Sequence, residues 1–190
     1  GYQEAITYSF VAETIQKRLC PDVLSVPLTN PIAADMAVMR TSLWTGLLNV
    51  LAYNQHRQQS RVRLFEIGRV FVGGQEPVHV AAVCTGTTLP VGWTSGTRAL
   101  DFFDIKGDVE SLLSFSKLDS QFRFIPVDYH GVLQAGQAAK IETATGDPVG
   151  WLGALHPSLI DLFDLKGTVY VFELEWQALS RADVRQPRTS

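Results

Sequence analysis

Glu173 and Glu175 stand two residues apart in the run Val169-Tyr170-Val171-Phe172-Glu173-Leu174-Glu175-Trp176. Side chains alternate in direction along a strand, so both carboxylates share one face, opposite Phe172, Leu174 and Trp176. A pair of this kind could bind Mg²⁺ or share a proton. It could equally be the solvated face of an amphipathic strand, and without a third convergent ligand the solvated face is the expectation. The histidines are His56, His79, His130 and His156, and none sits in an HExxH-like arrangement. His156 precedes Pro157 at a predicted helix start, where capping or packing is the expected role. His130 is expected on a surface loop.

Other catalytic patterns are missing. Ser9, Ser42 and the remaining serines lack a GxSxG elbow, so a serine hydrolase is unsupported. No GxxxxGK occurs and no GxGxxG opens a helix, which removes two common nucleotide-binding classes. Cys20 and Cys84 have neither CxxC spacing nor a nearby His; no zinc site is expected, and unpatterned thiols fit a reducing cytoplasm. Trp44, Trp93, Trp151 and Trp176 are not interleaved with Lys and Arg, so they are expected as core or interface anchors rather than a base-stacking platform. No residue is assigned a catalytic, cofactor-binding or metal-binding role.

The elements that would position these residues alternate in type. With 190 residues, 46% hydrophobic and 18% charged, the chain reads as one globular domain with a sizeable core. Its net charge of −3 makes any RNA contact local rather than charge-driven. No apolar run approaches the roughly 20 residues that span a bilayer, and no signal-peptide pattern appears, so the cytoplasm is expected. Predicted strands lie at Ala5 to Phe10, Leu24 to Leu28, Val62 to Val72, Val78 to Cys84, near 121–127 and 137–143, at 149–155 and from Val169 to Trp176. Predicted helices lie at 12–19, Leu43 to about Gln59 with Thr41 or Ser42 as N-cap, Asp101 to Phe115, and Pro157 to Phe163. Leu43, Leu47 and Leu51 share one helix face. Residues 86–99 read as a loop. Hairpins dominate over crossovers, which predicts an α+β fold, an antiparallel sheet flanked by helices. The core is expected over 1–180, with 181–190 a linker. The chain opens at Gly1 in mid-pattern and closes on a polar stretch, so both ends are expected to be cut from a longer chain.

Three ordered stretches carry a resemblance. The first is Gly1-Tyr2-Gln3-Glu4-Ala5-Ile6-Thr7-Tyr8-Ser9-Phe10. The second runs from Asn30-Pro31 through Met39-Arg40-Thr41-Ser42-Leu43-Trp44-Thr45-Gly46-Leu47-Leu48 and Asn54-Gln55 to Leu64-Phe65-Glu66-Ile67-Gly68-Arg69-Val70-Phe71. The third is Phe103-Asp104-Ile105-Lys106-Gly107-Asp108 followed by Gly150-Trp151-Leu152-Gly153-Ala154-Leu155-His156-Pro157. Together they resemble the β chain of bacterial phenylalanyl-tRNA synthetase over essentially the whole chain. One departure is Leu133-Gln134-Ala135-Gly136, where that family often has Leu-His-Pro-Gly, so no His role carries over there.

The resemblance implies a class II aminoacyl-tRNA synthetase-like core that is itself inactive. It implies packing against a catalytic α chain that uses ATP and Mg²⁺ to join phenylalanine to tRNA, two α and two β chains in the complete enzyme, and tRNA held by the whole assembly. It also places a signature helix before Gly1 at the α–β interface, so that this piece alone would bind α weakly and self-associate instead. By analogy with the α chain, Gly68-Arg69-Val70-Phe71 should lead to a phosphate-holding Arg, where this chain has Val72. A Gly-x-Gly strand should fall near Phe172-Glu173-Leu174-Glu175, with a second Arg near Ala178; glycines there let a ligand approach the backbone, whereas glutamates fill the space and repel phosphate. The competing reading is a free-standing class II-fold adenylating or ligating enzyme using Glu173, Glu175 and Arg181. A third is a binding module unrelated to translation.

Overall fold

The computed structural model describes residues 1–90, 92, 96–115, 121–128 and 130–180. The chain turns sharply at Gly73-Gly74, whose φ values of 58° and 76° favour residues without a Cβ. The turn joins β4 (Val62–Arg69) to β5 (Val78–Thr85) as an antiparallel hairpin. A meander follows, built from β6 (Phe122–Pro126), β7 (Leu133–Thr143) and β8 (Pro148–Leu155). The last strand, β9 (Val169–Glu175), inserts between the two units and pairs antiparallel with both β5 and β8. At the far edge β1 (Gln3–Glu4) pairs parallel with β4. The order is β1-β4-β5-β9-β8-β7-β6. A separate ribbon pairs β2 (Phe10–Val11) with β3 (Val38–Met39).

Helices cover both faces of the large sheet. On one side Leu47, Leu48 and Leu51 of α2 (Trp44–His56) pack with Leu64, Ala81, Val83 and Val171, beside α1 (Glu13–Leu19) and α4 (Pro157–Leu162). On the other side Ile105, Val109 and Leu113 of α3 (Phe102–Ser114) meet Ala82, Leu152, Phe172 and Leu174. The short α5 (Trp176–Ser180) lies against this second face through Leu179 and Ala178. Helix α3 starts on a reciprocal cap, in which the Asp101 carboxylate accepts the Asp104 N–H at 3.0 Å and the Asp104 carboxylate accepts the Asp101 N–H at 2.8 Å. The α+β class and the antiparallel sheet are as the sequence predicts, apart from the parallel β1.

Two predicted strands are not strands of the sheet. Only Gln3–Glu4 of the N-terminal segment joins it. After the Ala5 N–H donates to the Phe65 carbonyl at 2.8 Å, the chain leaves the ladder as a strap over α2. Thr7 then bonds the Glu66 carboxylate in place of a ladder bond, and the Ser9 carbonyl accepts the Arg40 N–H where the β2–β3 ribbon begins. The strap lies so close to α2 that a Cβ on Gly46 would fall 2.2 Å from Thr7 Oγ1. Ile6 and Tyr8 point outward, 89% and 73% exposed. Leu24 to Leu28 makes one bridge, Pro27 to Val38, with a backbone bond on either side; proline has no N–H with which to extend a ladder. Helix α2 is shorter than predicted, and its boundary residue is Leu43 rather than Thr41 or Ser42.

Leu47 is 0% exposed. Leu47→Ala is expected to cost about 3 kcal/mol in urea denaturation, within the range for buried leucines. Leu24→Ala, at an exposed position, should cost under about 0.5 kcal/mol.

Candidate functional site

Glu173 is buried, not solvated, which corrects the expectation for this strand. Its position on β9 lies under the N-terminus of α2. There its carboxylate accepts the Ser42 hydroxyl, the Leu43 N–H at 3.0 Å and His79 Nδ1 at 2.8 Å. Only 8% of the residue is exposed. A helix start presents free N–H groups and partial positive charge, so a carboxylate is a suitable partner. Ser42 is the residue before the N-cap rather than the cap itself, and its hydroxyl accepts the Trp44 N–H at 3.1 Å. Trp44 locks the same end by donating Nε1–H to the Phe172 carbonyl at 3.0 Å.

A second buried carboxylate lies along the same helix. Glu66 of β4 accepts Arg40 Nη1 at 2.8 Å and the Thr7 hydroxyl at 2.7 Å. Arg40 also donates Nε–H to the Arg69 carbonyl at 2.9 Å. The guanidinium reaches there because position 68 is glycine; a Cβ would fall 2.5 Å from Arg40 Nη2. The buried amide of Gln16 from α1 joins Thr41 next to this arginine.

Between the ends of α1 and α2, the sheet and the β6–β7 connection lies an open cleft of about 520 Å³. His79, Glu173, Glu175 and Trp151 line it from the sheet, and His130 lines it from the connection. His130 is half-buried, not a surface residue as expected. Its ring centroid lies 4.5 Å from that of Trp151 and 6.3 Å, edge-on, from that of Trp44. Burial holds its imidazole below the ordinary histidine value, because desolvation disfavours the cation. Cys20 also lines the cleft, and burial pushes its thiol up to about 11, which leaves no thiolate nucleophile at neutral pH.

The other sequence-selected residues are structural or lie elsewhere. His156 caps α4, its Nδ1 accepting the Ser158 N–H at 3.1 Å. His56 pairs with Asp164 at 2.9 Å on the surface. Of the tryptophans, Trp44 is core, Trp151 is half-buried and Trp176 is exposed, while Trp93 lies outside the described residues. Arg181 also lies outside them, as does the predicted linker 181–190. Gln134 to Gly136 falls in β7 where its register with β8 shifts. Sequence reasoning missed Arg40, Glu66 and Gln16. Glu66 carries a detectable signal, a lone acid at an inward position of an apolar strand.

Val72, which the sequence comparison sets against a phosphate-holding arginine, is partly buried and packs against the core. Glu173 occupies the ground beside β8, so close that a Cβ on Gly150 would fall 2.0 Å from its carbonyl. Ala178 packs on the opposite face of the sheet. The cleft lining contains no Lys or Arg. Among the described residues no three His, Cys, Asp or Glu side chains are grouped to hold a metal ion, and no helix is long and apolar enough to cross a membrane.

The profile described as the phenylalanyl tRNA synthetase beta chain CLM domain matches residues 1–176. The phenylalanine–tRNA ligase beta subunit of Hahella chejuensis is 47% identical over 178 residues, which cover 92% of this chain and 22% of that protein. Its counterpart in Pseudomonas fluorescens is 49% identical over 179 residues, with the same coverage. That of Nitrosococcus oceani is 45% identical over 188 residues, 96% of this chain and 24% of the relative. The chain therefore spans under a quarter of the length of these relatives. Among solved structures, a pyrrolysyl tRNA synthetase from Desulfitobacterium hafniense superposes with a TM-score of 0.66 at 11% identity, over 94% of this chain and 60% of its own. The class II synthetase-like fold is thus shared at low identity.

Glu173→Ala should cost roughly 3 kcal/mol in chemical denaturation, because it leaves Ser42, the Leu43 N–H and His79 without their acceptor; Glu173→Gln, which keeps the shape, should cost less. His130 supplies a pH test. Its folded value lies below its unfolded one, so the unfolded chain holds more protons in the window between them. Stability is then full above the ordinary histidine range and falls as pH drops through it. The urea midpoint should fall between about pH 7.5 and about pH 5.5, and His130→Gln should reduce that fall.

Proposed function

Because the chain belongs to the family of phenylalanyl-tRNA synthetase beta chain CLM domains, we propose that it is the non-catalytic core of the β chain of a phenylalanine–tRNA ligase. In this reading it is a structural module packed against the catalytic α chain of an assembly of two α and two β chains in the cytoplasm. ATP and Mg²⁺ belong to the complete enzyme and are handled by α, and tRNA is held by the assembly. Residues 1–180 form the core, and 181–190 lead onward.

The observation that carries the proposal is the occupied sheet face. Catalysis of adenylate formation needs cationic groups directed at developing phosphate charge. Here α2 lies on that face, and Glu173 puts a carboxylate under its first turn. The alternative of a free-standing adenylating enzyme loses Glu173, which is committed to three structural bonds. Packing against a partner is supported by the strap, where Ile6, Tyr8 and Phe10 form an exposed apolar stripe; such a stripe suits burial against another chain.

The test is phenylalanine-dependent exchange of pyrophosphate into ATP. This chain alone should give no signal above a no-enzyme control, and calorimetry should detect no binding of ATP with Mg²⁺. An α chain combined with the complete β chain should be active. Exchange by this chain alone would overturn the proposal.

A further inference from the structure

The acidic, aromatic cleft has no part in that reading, and its chemistry selects a ligand. Its volume of about 520 Å³ suits a small molecule. Three carboxylates line it, from Asp22, Glu173 and Glu175, with no Lys or Arg to balance them. Glu173 is committed to the helix start. Glu175 and Asp22 have no hydrogen-bond or ion-pair partner among the described residues. Anions are therefore repelled from the cleft, and a cation gains charge-assisted hydrogen bonds.

The wall supplies an independent preference. Trp151 and His130 lie in ring contact at the cleft, with Trp44 behind them. Aromatic faces carry negative quadrupole potential and attract ammonium groups, most strongly for tryptophan. Burial disfavours the cationic form of His130, and His79, the other histidine of the lining, is engaged by Glu173. A bare divalent ion is a poorer match, because no three ligating side chains are grouped here among the described residues. We infer that the cleft binds an organic ammonium ion carried on a small apolar body, its charge held by Glu175 and Asp22 and its body against Trp151 and His130. This inference does not rest on the synthetase reading; it stands or falls on the cleft alone.

Calorimetry on the complete protein tests it, with phenethylammonium chloride as probe and phenylacetate as its anionic counterpart of similar size. Phenethylammonium should bind saturably and phenylacetate should not. Glu175→Gln should weaken the ammonium by at least roughly tenfold, the effect expected of one lost charge contact. Trp151→Leu should weaken it in the same direction. Because the Glu175 side chain has no partner among the described residues, its glutamine variant keeps the fold and decides the matter. No saturable binding of phenethylammonium, equal binding of phenylacetate, or unchanged affinity in Glu175→Gln would each overturn the inference.

Discussion

Everything in this molecule turns on how α2 is seated across the sheet by two buried carboxylates. Glu66 meets Arg40 and Thr7, and Glu173 meets the helix start and His79. Desolvating two carboxylates is costly, and their partners offset that cost rather than yield a large surplus. What the pairs supply is placement. An apolar helix on an apolar sheet could slide, whereas two charges with fixed partners define where the helix begins and how far the strap reaches. The same seating covers one face of the central strands and leaves the acidic cleft open at the N-terminal end of the helix.

The fold was largely legible where periodicity and punctuation agree. Leu43, Leu47 and Leu51 mark α2, Asp101 and Asp104 mark the start of α3, and Gly73-Gly74 marks the hairpin. The misreadings share a cause: period-two patterns do not say what covers a strand. The alternation in Phe172-Glu173-Leu174-Glu175 reads as one dry and one solvated face, yet β9 is the central strand and is covered on both sides. Its continuous run Val169-Tyr170-Val171-Phe172 was the available cue, because doubly covered strands are apolar throughout. The aromatic, β-branched segment Ala5 to Phe10 reads as a strand but becomes a strap, because side-chain partners on Glu66 and Arg40 replace the ladder. The cleft was the least legible feature, since His79, His130, Trp151 and Glu175 are far apart in sequence and meet only through strand order.

The shared fold with a pyrrolysyl tRNA synthetase at 11% identity shows how little the backbone says about chemistry. The same layered sheet accommodates a buried carboxylate at position 173 and a partly buried valine at position 72 packed against the core. These residues are compatible with the architecture because each one is satisfied locally, by a helix start in one case and by apolar neighbours in the other.

Strand order also sets a schedule for folding. The strand made last, β9, is the one at the centre, holding β5 on one side and β8 on the other. Until residue 175 is available, the β4–β5 hairpin and the β6–β8 meander each expose an open edge that only β9 can close. Pairings this distant in sequence are slow to form, and unclosed edges invite association with other chains. A ribosome synthesising this segment thus releases two incomplete half-sheets before supplying the strand that joins them, so consolidation comes late and all at once.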